Sequence, residues 1–172
     1  MSVAMEAGHE SVHDEEFPKE ELKEHYLKSL RMIERLHRLL LDVIKDEFER
    51  LGSSEVNSVQ ALLLYNIGDA ELTAGELRSR GYYLGSNVSY NLKKLVEAGY
   101  IHHERSSNDR RSVRVSLTEK GLEVCNVINS LYNRQMDSLE PVGGVDADNL
   151  DNMNQALFRL ERFWADQIRY RL

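Results

Sequence analysis

From Lys19 to Leu51 apolar residues return every three or four positions, at Leu22, Tyr26, Leu30, Ile33, Leu36, Leu40, Ile44, Phe48 and Leu51. This spacing predicts one amphipathic helix of about nine turns, closed by Gly52-Ser53-Ser54. A helix of that length with a single apolar stripe needs another surface to cover it. A second copy of the chain is the natural supplier.

Shorter elements follow. Asn57-Ser58-Val59-Gln60 fits a capping box, with an Asx cap and Gln three residues on. It opens a helix over ALLLYNI that stops at Gly68. Thr73-Ala74-Gly75-Glu76 is a second capping box, opening a short helix that ends near Gly81. After the turn YYLGS, a third short helix is predicted from Asn87 to Ala98, closed by Gly99. Ser112 to Leu117 alternates, with Val113, Val115 and Leu117 on one side and Ser112, Arg114 and Ser116 on the other. That period of two marks a half-buried strand. Tyr100 to Arg105 alternates poorly, so its strand assignment rests on pairing with this partner across the turn residues Ser106 to Asp109. Thr118-Glu119-Lys120-Gly121 starts another helix, with Leu122, Cys125, Ile128, Leu131, Tyr132 and Met136 on its apolar side, ended by Pro141-Val142-Gly143-Gly144. A last helix runs from Asp146 to about Arg169 and carries Leu150, Met153, Leu157, Leu160, Trp164 and Ile168. One long helix, three short helices, a hairpin and two more helices describe a winged helix-turn-helix with a two-stranded wing, in a mainly α fold. The predicted organisation is an acidic disordered tail over 1–18, an N-terminal dimerisation helix over 19–52, the winged lobe over 56–121, and C-terminal dimerisation helices over 122–172.

The third short helix has two unlike faces. At about 100° per residue, Val88, Leu92, Leu95 and Val96 fall together. Ser86, Tyr90, Lys93 and Lys94 fall opposite, with Asn87, Ser89 and Asn91 on the flanks. Asn can bond adenine edges, Lys reaches phosphate or guanine, Ser reads less specifically, and Tyr can touch a thymine methyl or donate to phosphate. An ordinary solvated face uses the same residue types, so the hairpin tilts the balance. Arg110 and Arg111 at its tip have little to pack against, and guanidinium groups suit phosphates and narrow minor grooves. Asp109 can hold one of them through a charge-assisted pair.

Charge reinforces this reading. The chain carries a formal charge of -7, yet from Arg78 to Lys120 there are nine Lys or Arg against four Asp or Glu, while the remainder holds 13 against 25. A patch outweighs a total, because screening limits each charge to about 8 Å in physiological salt. No apolar run is long enough for a membrane span and the N-terminus lacks the pattern of a secretory signal, so a cytoplasmic location is expected. The single cysteine, Cys125, cannot form an internal disulfide.

Leu95-Val-Glu-Ala-Gly-Tyr-Ile101, Asp109-Arg-Arg111 and Val115-Ser-Leu-Thr-Glu-Lys-Gly121, at their joint spacing, resemble the MarR (multiple antibiotic resistance) family of winged helix-turn-helix regulators. The resemblance spans residues 56–121 by motif and the rest by helix order. It implies a homodimer with intertwined terminal helices, recognition helices in major grooves and wings in minor grooves. The DNA-binding positions it implies are Ser86, Asn87, Ser89, Tyr90, Asn91, Lys93 and Lys94 on the helix, and Asp109, Arg110 and Arg111 on the wing. Two-fold symmetry predicts a pseudo-palindromic operator with half-sites about one helical turn apart. The expected activity is a transcription repressor relieved by a small aromatic or other ligand, and no cofactor is expected. Tyr82-Tyr83, before the recognition helix, is bulkier than the family's usual turn.

Many members bind small aromatic acids between the dimer helices and the DNA-binding lobe. Tyr26, His37 and Tyr65 are the candidates here, each with ordinary packing as the alternative. One redox-sensing branch keeps a cysteine in the first helix; this first helix has none, and Cys125 sits on an apolar stripe as a core residue would. His9 and His13, His25 and His37, and the adjacent His102-His103 do not supply three or four convergent metal ligands. No phosphate-binding glycine loop or nucleophile constellation occurs, which argues against an enzyme. The alternative reading is a winged helix used as a protein-interaction scaffold. Salt-dependent DNA binding discriminates the two.

Overall fold

The computed structural model describes residues 18–53, 55–73, 76–77, 86–105 and 113–170, without the side chains of residues 86–88, 105 and 113. All but Pro18 of the expected tail over 1–18, the Tyr82-Tyr83 turn and the hairpin tip with Asp109, Arg110 and Arg111 lie outside the described residues. Among the described residues the helices are α1 (Lys19–Arg50), α2 (Ser58–Ile67), α3 (Ser86–Glu97), α4 (Glu119–Leu139) and α5 (Ala147–Tyr170). Of the short helix expected to open at Thr73 and end near Gly81, Glu76 and Leu77 are helical, and residues 74–75 and 78–81 lie outside the described residues. The strands are β1 (Leu72–Thr73), β2 (Ile101–Arg105) and β3 (Val113–Leu117). The fold is mainly α, as the periodicity predicted.

The chain divides into two compact units, residues 1–40 and 41–172, with α1 running through the boundary. The first unit holds only α1 residues among those described. Leu22, Leu27, Met32, Leu36 and Leu39 are all exposed there.

The second unit holds the core. Its centre is α2, where Ala61, Leu62, Leu63, Leu64 and Ile67 are buried. A helix apolar on nearly all sides must be enclosed, and α2 lies against α4. Asn57 caps it as expected: its side chain accepts from Gln60 N–H at 2.9 Å, while the Gln60 amide accepts from Asn57 N–H at 3.1 Å. The Tyr65 and Tyr132 rings meet edge to face, 5.3 Å apart, joining α2 to α4. Glu47 is the single buried charged residue among those described, at 7 % exposure. It takes Arg50 at 2.8 Å and Arg134 of α4 at 2.6 Å, and the two guanidinium groups, Arg50 first, hold its carboxyl down to about 2 against the opposing effect of burial.

Two features differ from the sequence expectation. The sheet has three strands in the order β1-β3-β2, all antiparallel, with Leu72 opposite Val115 and Ile101 opposite Leu117. β1 is only two residues long, too short for any periodicity to register. On α4 the burial stripe runs through Gly121, Val124, Cys125, Ile128 and Leu131 and then stops. Met136, expected on the apolar side, is 57 % exposed, because the last two turns of α4 bury nothing in this unit.

Candidate nucleic-acid interface

Helix α3 is anchored by Leu92 and Leu95, both buried, with Val96 and Asn91 half-buried beside them. Ser89, Tyr90, Lys93, Lys94 and Glu97 are exposed. At about 100° per residue those five span one continuous arc of the helix. Tyr90 is 62 % exposed, too open for a packing role, and the Lys94 ammonium lies 5.9 Å from its ring centre. Of the remaining candidate positions, Ser86 and Asn87 lie in the first turn, with side chains outside the described residues. Asn91 is the one candidate on the inner flank.

The C-terminal end of α3 is held at an unusually dense joint. Gly99 takes φ +78°, a left-handed conformation that suits glycine. Tyr100 N–H donates to Leu95 O at 2.9 Å and Gly99 N–H to Val96 O at 3.0 Å, a Schellman closure. Thr118 then joins two helices with one hydroxyl. It donates to Gly99 O at 2.7 Å and accepts from Gly121 N–H at 3.2 Å, so it seals the end of α3 while capping α4. Thr118 N–H donates to Tyr100 O at 3.1 Å. Gly121 is required sterically: a Cβ there would sit 2.4 Å from Tyr100 O.

Charge tightens the same joint. Lys120 bridges to Glu55 at 2.8 Å and lies 4.3 Å from the centre of the Tyr100 ring, and Tyr100 O–H donates to Glu55 at 2.7 Å. The Lys120 hydrogen bond, then that of Tyr100, lowers the Glu55 carboxyl. Burial first, then the bond to Glu55, raises the Tyr100 phenol. The sequence marked Gly99 as the close of α3 and Thr118 as the start of α4, but gave Gly121 no steric purpose, and it missed Glu55, whose carboxylate comes from the α1–α2 connection. Across the sheet, Arg114 meets Glu71 at 3.5 Å, tying β3 to the β1 side.

The other candidate residues are scattered. Tyr26 and His37 lie eleven residues apart on α1, about 16 Å along the helix axis, and His37 is exposed. Tyr65 belongs to the other unit and is half-buried against Tyr132. Cys125 is buried, and its thiol is pushed up to about 11 by desolvation first and the Asp69 carboxylate second. Lys120, the cation near it in sequence, is engaged with Glu55. Among the described residues no group of three or more His, Cys, Asp or Glu is placed to hold a metal ion, and no helix is long and apolar enough to cross a membrane.

A winged helix DNA-binding domain model matches residues 56–121. The exopolysaccharide II synthesis transcriptional activator ExpG of Rhizobium meliloti is 38 % identical over 148 residues, covering 84 % of this chain and 74 % of ExpG. A Listeria monocytogenes protein assigned to the MarR family, solved with a 26mer DNA, superposes with a TM-score of 0.68 at 21 % identity, covering 82 % of this chain and 91 % of that one. Streptococcus pneumoniae FabT in complex with DNA gives a TM-score of 0.60 at 22 % identity, covering 82 % and 98 %. The chain carries a MarR-type winged helix and belongs with ExpG to one family of transcription regulators. It is a DNA-binding transcription regulator, and its family and fold are not those of enzymes. Within the matched residues 56–121, α3 is followed by the β2–β3 hairpin, in the order of a winged helix.

Proposed function

We propose that the protein acts in the cytoplasm as a homodimer on a pseudo-palindromic operator. Each α3 enters a major groove, with Ser86, Asn87, Ser89, Tyr90 and Asn91 reading bases and Lys93 and Lys94 holding phosphates. Asp109, Arg110 and Arg111 of each wing reach the flanking minor groove. The observation that carries this reading is the outward arc of α3, polar and basic, on a helix whose inner face and end are both fixed. The DNA complexes of the Listeria protein and of FabT support the same use of the fold.

The exposed side chains of α5 support the dimer. None of its residues is buried: on its apolar stripe Met153, Leu157 and Ile168 are exposed, Ile168 at 80 %, and Phe158 and Phe163 are open on other sides of the helix. Such a stripe on an amphipathic helix of 24 residues suits a second copy of the chain as its cover. We read the regulator as a repressor relieved by a small ligand. ExpG, named as an activator, favours a second reading in which the bound dimer promotes transcription.

Genomic footprinting of the tagged protein with and without Arg111→Ala tests the proposal. It should recover paired half-sites about one helical turn apart, lost in the variant, and binding should weaken steeply with salt. Reporter output at a footprinted promoter separates repression from activation. A monomer in solution, or duplex binding indifferent to salt, would favour the scaffold alternative and refute this one.

A further inference from the structure

Glu97 stands in the wrong place for helix stability. It is the last residue of α3, where the helix dipole favours cations. It also follows its lysine partners in sequence, the weaker order for an intrahelical pair. Its carboxylate nonetheless takes both lysines of the outward arc, Lys93 at 3.9 Å and Lys94 at 3.5 Å. All three side chains are half or more exposed, so these pairs add little to folding. What they change is the field on the DNA-facing surface. Two cations and one anion present a net single positive charge where the lysines alone would present two. Lys94 is further held toward Tyr90. Glu97 and Lys93 also line the cavity of about 330 Å³ between α3 and the sheet, together with Ser89 and His103, which places the carboxylate where helix and wing meet.

We propose that Glu97 is a specificity-determining counter-charge: it restrains Lys93 and Lys94 so that they do not bind phosphates indiscriminately. The inference rests on the DNA-binding reading of α3. On an arbitrary duplex, recruiting either lysine means breaking its pair with Glu97 and bringing a carboxylate toward the phosphates. At the operator, base contacts fix the helix in a register that repays this cost. Glu97 therefore lowers non-specific affinity more than specific affinity.

The test uses the full-length protein, a duplex recovered by the footprinting above, and a scrambled duplex of equal length. Glu97→Gln removes the charge and keeps the shape. One added phosphate contact steepens the salt slope by about 0.9 and, at 0.1 M salt, tightens binding up to about eightfold. The expected result is a gain of about three- to eightfold on the scrambled duplex, a steeper slope there, and a smaller gain on the operator, so that the specificity ratio falls. Asp137→Asn, at an exposed site on α4, removes the same charge elsewhere and should leave the ratio alone. Unchanged binding to the scrambled duplex, equal gains on both duplexes, or the same gain from Asp137→Asn would each overturn the inference while leaving DNA binding intact. Absence of salt-dependent duplex binding by the unsubstituted protein would overturn both.

Discussion

Gly121→Ala sets two physical effects against each other. Gly121 lies inside the first turn of α4 and its φ is not left-handed, so helix propensity alone predicts that alanine gains about 1 kcal/mol. The packing predicts the reverse. The new Cβ would lie 2.4 Å from Tyr100 O and 3.2 Å from Leu117 Cβ, roughly 1 Å inside ordinary van der Waals separation for the first contact. That atom is a backbone carbonyl and cannot rotate away. It also accepts the Thr118 N–H at 3.1 Å, a bond worth about 1 kcal/mol. Overpacking of this kind costs about 1–3 kcal/mol; with the weakened bond added and the propensity gain taken off, the steric effect wins and the net loss should be about 1–3 kcal/mol. Urea unfolding at fixed protein concentration measures it, since the stability of the proposed dimer would depend on concentration. The carbonyl belongs to the closure of α3, so duplex affinity should fall as well, at temperatures where the variant is fully folded. Ile128→Val is the comparison: it removes one buried methyl at a cost of about 0.5–1.5 kcal/mol, far from α3, and should leave affinity unchanged. A Gly121→Ala protein as stable as the parent, or one destabilised with full affinity, would refute the reasoning.

Two further outcomes are expected. Glu47→Gln should destabilise by about 1–2 kcal/mol at pH 7, since the fall of its carboxyl from 4.5 to about 2 sets a ceiling that its half-exposed arginine partners reduce by screening. A carboxyl depressed on folding stabilises above its unfolded value and loses that contribution as pH falls toward its folded one, so the gap between the two proteins in urea unfolding should narrow from pH 5 to pH 3; a constant gap would contradict the ion-pair account. Cys125, with its thiol near 11, should react with a disulfide reagent at pH 8 only as fast as the protein unfolds, and Cys125→Ala should retain duplex binding after peroxide treatment; rapid native labelling would restore a sensing role.

Much of the fold was legible because its signals are local. Asn57 with Gln60, Thr73 with Glu76, and Thr118 are caps whose geometry is fixed within four residues, and each forms as expected. The long stripes of α1 and α5 declared themselves through period. What stayed hidden depends on distance along the chain. β1 exists only because Leu72 meets Val115, 43 positions later. Glu55 is unremarkable in sequence and becomes central only when folding brings Tyr100 and Lys120 to it. Glu97 was passed over because a single carboxylate among basic residues carries no motif. Met136 fitted the helical stripe, but a stripe predicts a face and not where its cover ends.

The two most recognisable runs of the sequence, Leu95 to Ile101 and Val115 to Gly121, are halves of one joint. The first supplies the carbonyls that end α3; the second supplies the hydroxyl, the ammonium and the bare glycine that receive them. Their spacing is then a mechanical requirement, since the hairpin between them must return the chain so that Thr118 reaches Gly99. Sixteen residues beyond Thr118, about 24 Å along the same helix, Arg134 of α4 grips Glu47 of α1. Helix α4 is thus clamped at one end to α3 and toward the other to the end of α1, with no loop between. A tilt of α4 against the end of α1 would therefore strain the Glu47 pair.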